Sequence, residues 1–197
     1  MGKRILAYLI DVVIVLFASS MLSSISYLNP QLETYNKYYD EYSEKTKDYL
    51  DKKTTDDEYL QITNDYSYKL ERNSVYSSVI SVVTILLYFG VFQKYNNGQT
   101  LGKKLLNIRV KGNLNIFKYL LRTAIIYNVF INVAKIILIV ALDQNQYLIA
   151  NKYLYALALV VEVTTIVMIM LRKDHKGLHD LIVGSEVIEE NKKVVEV

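Results

Sequence analysis

Apolar residues gather into four runs along this chain of 197 residues, separated by one long polar stretch and shorter polar connections. A hydrocarbon core of roughly 30 Å needs about 20 apolar residues in a helix, because every backbone amide must be bonded within the segment. The windows 5–28, 74–93, 119–142 and 153–171 meet that need. Asp11 is the one charge in the first, and the second has none. Arg122 and Lys135 interrupt the third, and Glu162 lies near the middle of the fourth. The first run is long, holds an acid and lacks a small-x-small cleavage site, so it reads as a retained helix and not a signal peptide.

The polar stretch 29–73 carries a helical pattern of its own. Between Pro30 and Arg72 there is no Gly and there are eight tyrosines, of which Tyr35, Tyr38, Tyr39, Tyr42 and Tyr49 have helical spacing. Thr55 to Glu58 reads as a capping box at a helix start. These features predict a helical hairpin, Glu33 to Lys53 and Asp56 to Asn73. Its tyrosine faces either zip the two helices together or dock a partner, and packing is the commoner use of such stripes.

Composition sharpens this pattern. The mean hydropathy of +0.15 would suit an ordinary soluble domain, but 18 of the 43 Lys, Arg, Asp and Glu residues lie between Pro30 and Arg72. That segregation is the mark of a membrane protein. Lys3 and Arg4 precede the first span, six Lys and Arg residues fall in 94–118, and Arg172, Lys173 and Lys176 follow the fourth. The excess of cations on one side predicts cytoplasmic termini, an amphipathic cytoplasmic loop 94–118, a cytoplasmic tail 172–197 and an extracytoplasmic hairpin. The fold expected is all-α, a single membrane domain over 1–197 built as a four-helix transmembrane bundle. Asn107 to Lys111 alternates like a strand and could pair with Glu186 to Glu190.

The absence of Cys excludes disulfides, thiolate metal sites and a Cys nucleophile. No nucleophile–base constellation is visible, so no enzyme is expected, nor any cofactor or nucleic-acid partner. Ionisable groups within the spans are costly and are functional candidates by default. Asp11 and Arg4 share nearly one helical face seven residues apart, and Arg122 lies at a similar depth, so Asp11 is expected to cluster with Arg4, Arg122 or both. Lys135 and Glu162 lie at matching depths on adjacent spans and could pair, either as a polar seam that passes a cation or proton or as structural glue between helices.

The loop sequence Gly98-Gln99-Thr100-Leu101-Gly102-Lys103-Lys104 is not a phosphate loop, because three residues separate its glycines and no Ser or Thr follows the lysine. Lys103 and Lys104 instead suit contact with anionic lipid headgroups. This loop as far as Val110, the start Lys3-Arg4-Ile5-Leu6-Ala7-Tyr8-Leu9-Ile10-Asp11 and the block His175-Lys176-Gly177-Leu178-His179-Asp180-Leu181-Ile182-Val183-Gly184-Ser185 occur in order at matching places relative to the spans. Together they resemble the RDD family of bacterial membrane proteins, and Arg122 falls where members commonly carry an Arg. The outer hairpin departs from the family, which usually has a shorter connection there.

The resemblance implies a multi-pass protein of the bacterial cytoplasmic membrane in which Arg4, Asp11 and Asp180 converge, as an ion site or as a clamp on the tail. Some members have been proposed to exchange monovalent cations for protons. With four spans, exchange would require a homo-oligomer or a larger membrane complex. The alternative is a non-catalytic accessory protein that docks a partner through the hairpin or the basic inner face. His175 and His179 lack a carboxylate set that would complete a metal site, since about three protein ligands are the usual minimum.

Overall fold

A computed structural model describes residues 2–190, so the end of the expected tail, 191–197, lies outside the described residues. The protein is mostly helical, with a two-stranded antiparallel sheet. The chain divides into two compact units, one of Met1–Ala18, Ser81–Phe130 and Ala158–Val197, the other of Ser19–Ile80 and Ile131–Leu157.

Helix α1 covers Gly2–Ser23. It stops five residues short of the predicted Leu28 because Asn29, only 2% exposed, donates to the Ser23 carbonyl (3.0 Å) and the Ser77 hydroxyl (3.1 Å). That side chain serves a helix end which would otherwise leave carbonyls unbonded. The hairpin follows as α2 (Leu32–Leu50) and α3 (Asp56–Asn73). Thr55 and Glu58 form the capping box. The tyrosines turn toward one another: Tyr49 stacks on Tyr59 with ring centroids 4.0 Å apart, and Tyr42 on Tyr66 at 5.6 Å. Neither helix has a fully buried residue, so this ring contact and the hydroxyl bonds of Tyr42 to Tyr59 and Thr63 hold the pair.

The second apolar helix runs Val75–Tyr95. Within it, α4 (Val75–Ile85) passes through a π-helical turn, Leu86–Phe92, into α5 (Gln93–Tyr95). Such turns recur at functional sites because the inserted residue re-aims neighbouring side chains. The loop beyond holds α6 (Leu101–Leu105) and β1 (Ile108–Gly112).

The predicted third span is broken. It consists of α7 (Ile116–Ile126) and α8 (Val129–Ala141), bent by 70°. The break falls at Tyr127 and Asn128, and Asn128 takes a left-handed conformation (φ 50°) that ends α7. Helix α9 spans Gln144–Leu171, so it starts well before the predicted Tyr153. The Asp143 carboxylate caps it by accepting from the Gln146 amide at 2.9 Å, which turns the polar run after Leu142 into helix rather than loop. Among the described residues three helices are thus long and apolar enough to cross a membrane, or four if the bent pair counts as one span. Such helices imply a lipid environment.

Helix α10 (Leu178–Val183) and β2 (Ser185–Glu189) complete the described chain. The strands pair with Val110 opposite Val187, and each strand lies within one residue of the bounds read from the sequence. Val110, Leu114, Tyr119 and Val183 form a small core that joins the sheet to α7 and α10.

In the second unit Lys135 finds its partners. Its ammonium lies 3.7 Å from Glu71, donates to the Tyr155 hydroxyl at 2.9 Å and sits over that ring. Glu71 also accepts from Tyr147 and from Asn151 (3.3 Å).

Replacing Thr55 by Ala removes the acceptor for the first amides of α3. Exchange of the Glu58 amide with deuterium should speed up roughly fivefold, while α9 amides stay unchanged. An unaltered Glu58 rate would show that the capping box does not hold the helix start.

Candidate functional site

The first unit contains the residues that the sequence marks as chemical. Asp11, on the face of α1 that also bears Arg4, is 1% exposed. Its Oδ1 accepts from the Tyr88 hydroxyl (2.7 Å) and the Gly102 amide (2.8 Å), and its Oδ2 accepts from the Thr100 hydroxyl. Thr100 in turn caps α6 by accepting from the Lys103 amide, and Tyr88 accepts from the Leu101 amide at 3.1 Å. Asp11 therefore receives the donors that the first turn of α6 leaves unbonded.

Gly102 is required by this contact. A Cβ there would lie 2.9 Å from the Asp11 carboxyl and collide with the Ala7 carbonyl. The other motif glycine, Gly98, turns the chain at φ +81° and donates its amide to Gln93. The Gln93 side chain returns a bond to the Gly98 carbonyl at 3.0 Å, and Gln99 donates to the Ile108 carbonyl at 3.2 Å. The Gly98–Gly102 block is thus a tight turn and short helix seated on a carboxylate.

A second carboxylate, Asp180, is also 1% exposed. Its Oδ1 receives Arg122 Nε (3.1 Å) and the Ser185 hydroxyl (2.6 Å), and its Oδ2 receives His179 Nε2 (3.3 Å). Burial alone would raise the Asp180 carboxyl, but the bond from His179, the Arg122 charge and the Ser185 hydroxyl together hold it below the usual carboxylate range. Burial lowers the His179 imidazole. Arg4 reaches the same region by another route. Its two terminal nitrogens donate to the carbonyls of His175 and Val187, each at 2.6 Å.

Asp11 therefore clusters with neither arginine. Among the described residues Arg122 pairs with Asp180, and Arg4 bonds backbone carbonyls on both sides of α10. Three donors, from Tyr88, Thr100 and the Gly102 amide, serve the Asp11 oxygens instead. Of the second candidate pair, Lys135 belongs to the second unit and Glu162 to the first. Lys135 serves Glu71, and Glu162 accepts from Asn128 at 2.7 Å. Sequence reasoning missed Tyr88, which reads as one more interfacial aromatic, and the role of Ser185, the last residue of the third motif block. The signal for Tyr88 was only that a carboxylate inside a span must find donors.

Between these clusters lies a cavity of about 760 Å³ lined by residues of the first unit alone. Its walls are apolar, from Ile5 and Leu9 of α1, Ile126 of α7, and Ile166 and Met170 of α9. Its polar lining includes Arg4, Asp11, Lys103, Arg122, Asp180 and Glu162. Lys103 lies over the Phe89 ring, 5.8 Å from its centre. Burial pushes its ammonium down to about 7; the Arg122 charge lowers it further, while Asp11 and Asp180 oppose the shift. Lys104 is exposed. The two lysines read together as headgroup contacts thus face different surroundings. His175 and His179 bond separately, His175 Nδ1 donating to the Ile169 carbonyl at 2.9 Å.

A model of the RDD family matches residues 1–184. No curated protein and no solved structure matches the chain.

Asp180→Asn leaves the Arg122 charge buried without a counter-ion, a change that typically costs about 3–5 kcal/mol. Thermal unfolding in detergent should show that loss, and the double variant Asp180→Asn with Arg122→Met should recover part of it. The folded carboxyl lies below its unfolded value of about 3.9, so the stability it contributes is present above that pH. It is lost as pH falls toward the folded value. Equal melting of wild type and Asp180→Asn at pH 7 would refute the pairing.

Proposed function

The chain belongs to the RDD family, and we propose that it acts as a non-catalytic membrane protein that takes an amphiphilic molecule into the cavity of its first unit. The cavity carries this reading. Ligand sites commonly span about 300–1,000 Å³ and combine apolar walls with a few polar groups, and 760 Å³ lined in that way falls within the range. Ile5, Leu9, Ile166 and Met170, which line it, are 52, 53, 56 and 61% exposed, on helices long enough to cross a membrane. An acyl chain can enter from the bilayer along such a rim.

The Arg4, Asp11, Arg122 and Asp180 set supports a clamp. Asp11 ties α1 to α6, Arg122 with Asp180 ties α7 to α10, and Arg4 fixes the segments flanking α10. The distribution of Lys and Arg supports cytoplasmic termini and an outward hairpin, in a bacterial cytoplasmic membrane.

Exchange of a cation for protons is the second reading, and it draws on two buried carboxylates lining one cavity. It has less support, because Asp11 has three donors and Asp180 has Arg122, His179 and Ser185, so a cation would have to displace them. It would also need a homo-oligomer, since four spans are few for a complete path. Partner docking through the hairpin loses the tyrosines that stack on each other.

Native mass spectrometry of the detergent-purified protein should show a retained amphiphile. Ile126→Trp, which fills the cavity, should reduce that adduct roughly tenfold without unfolding the protein. If wild type retains none from any lipid mixture, the reading fails. In liposomes loaded with a pH dye, wild type and Asp11→Asn should show equally little movement of protons driven by sodium or potassium. A rapid flux abolished by Asp11→Asn would instead establish exchange.

A further inference from the structure

The ionisable groups lining the cavity divide into those with a side-chain or amide partner at their charged atoms and those without. All three acids are engaged: Asp11 by Tyr88, Thr100 and the Gly102 amide, Asp180 by Arg122, His179 and Ser185, and Glu162 by Asn128. Arg122 is neutralised by Asp180. Arg4 and Lys103 are not. Arg4 gives two N–H groups to carbonyls and has no carboxylate at ion-pair distance among the described residues. Lys103 Nζ has no hydrogen-bond acceptor and no carboxylate at ion-pair distance among them, and it lies over the Phe89 ring.

Two cations that have no carboxylate at ion-pair distance among the described residues, in a cavity with apolar walls, keep N–H donors free for an anion that joins them. The walls select an anion that carries hydrocarbon. We propose that the cavity binds the anionic phosphate headgroup of a membrane lipid, with Arg4 and Lys103 as the residues that hold it. This rests on the amphiphile reading of the same cavity. Arg4 offers the N–H groups left over from its carbonyl bonds, and Lys103 offers three donors from a separate direction of the chain. A phosphate has enough oxygens to accept from both. The acyl chains leave along Ile5, Leu9, Ile166 and Met170.

The proton inventory of Lys103 gives an additional readout. The charged groups lining its cavity are Arg4 and Asp11 on α1, Arg122 on α7, Glu162 on α9 and Asp180 on α10, with His179 beside Asp180. With its ammonium near 7, binding an anion above that pH requires proton uptake. Affinity should therefore fall as pH rises past about 7.

The test uses the full-length protein, delipidated in detergent, and native mass spectrometry. Phosphatidylglycerol, phosphatidylcholine and diacylglycerol with identical acyl chains are offered, with oleate and inorganic phosphate as further arms, to wild type, Lys103→Gln and Lys103→Arg. Phosphatidylglycerol should bind wild type roughly tenfold or more tightly than the other lipids. Lys103→Gln should lose that preference and its pH dependence while melting like wild type, and Lys103→Arg should retain the preference. Equal binding of all lipids overturns the headgroup assignment but leaves the amphiphile reading standing. Oleate binding as tightly as phosphatidylglycerol overturns the choice of phosphate. Inorganic phosphate binding as tightly overturns the lipid source, and failure of every amphiphile overturns both readings. A preference that survives in Lys103→Gln overturns the role of Lys103.

Discussion

A carboxylate in the apolar first helix needs donors brought to it, and Asp11 at 1% exposure is in that position. Isolated, it would be strongly disfavoured in a low-dielectric setting. Donors come from two further segments. Tyr88 supplies a hydroxyl from the π-helical turn, and the start of α6 supplies a hydroxyl and an amide. The Gly98–Gly102 turn, the capping Thr100 and the absence of a side chain at Gly102 all follow from seating a helix start on that carboxylate. Once α6 is held, β1 is placed, and through β1 its partner β2 and the small core around Val110 and Val183.

The same physical demand is met differently at Asp180. There a guanidinium is the main counter-charge, and hydroxyl and imidazole donors complete the shell. Arg4, freed from any carboxylate, bonds the backbone on both sides of α10. The three residues that give the family its character thus do three distinct things: one carboxylate binds a helix start, one binds an arginine, and one arginine binds backbone. Such a division explains why a single Arg/Asp cluster is not found. In this setting each acid and Arg122 is more fully satisfied by a local shell than by one shared ion network.

Much of this fold was legible in the chain. The spacing and capping signals locate the hairpin helices, and the alternation at 107–111 finds the sheet to within one residue. Hydropathy finds the spans but not their ends. Asn29 stops α1 early and Asp143 starts α9 early by side-chain bonds that a hydropathy window cannot see. The break at Asn128 was hidden for a related reason, since one left-handed residue leaves apolar content unchanged on both sides. At the site, the motif residues were legible as important, while their pairing was not. The depth of Asp11 and Arg122 suggested a pair, but partner choice depended on donors from Thr100 and the Gly102 amide, whose approach no spacing encodes. Glu71, reckoned among the solvated charges of the hairpin, turned out to be the acceptor for Lys135.

The second unit supplies the comparison that separates structural from functional charge. Lys135, Glu71, Tyr147, Asn151 and Tyr155 form a set in which the cation has an acid, a hydroxyl and a ring, and the acid has three donors. A set closed in this way stabilises contacts between segments and has little left to offer a ligand. In the cavity of the first unit the acids are equally closed, and so is Arg122. Lys103 is not, although it lies among apolar walls where an unmatched ammonium is least stable. A structural lysine in such a place would be expected to reach an acid, as Lys135 does. Lys103 is therefore better explained by an acceptor that the described residues do not place at its ammonium, and that points past the motif's two aspartates to the lysine between them in sequence.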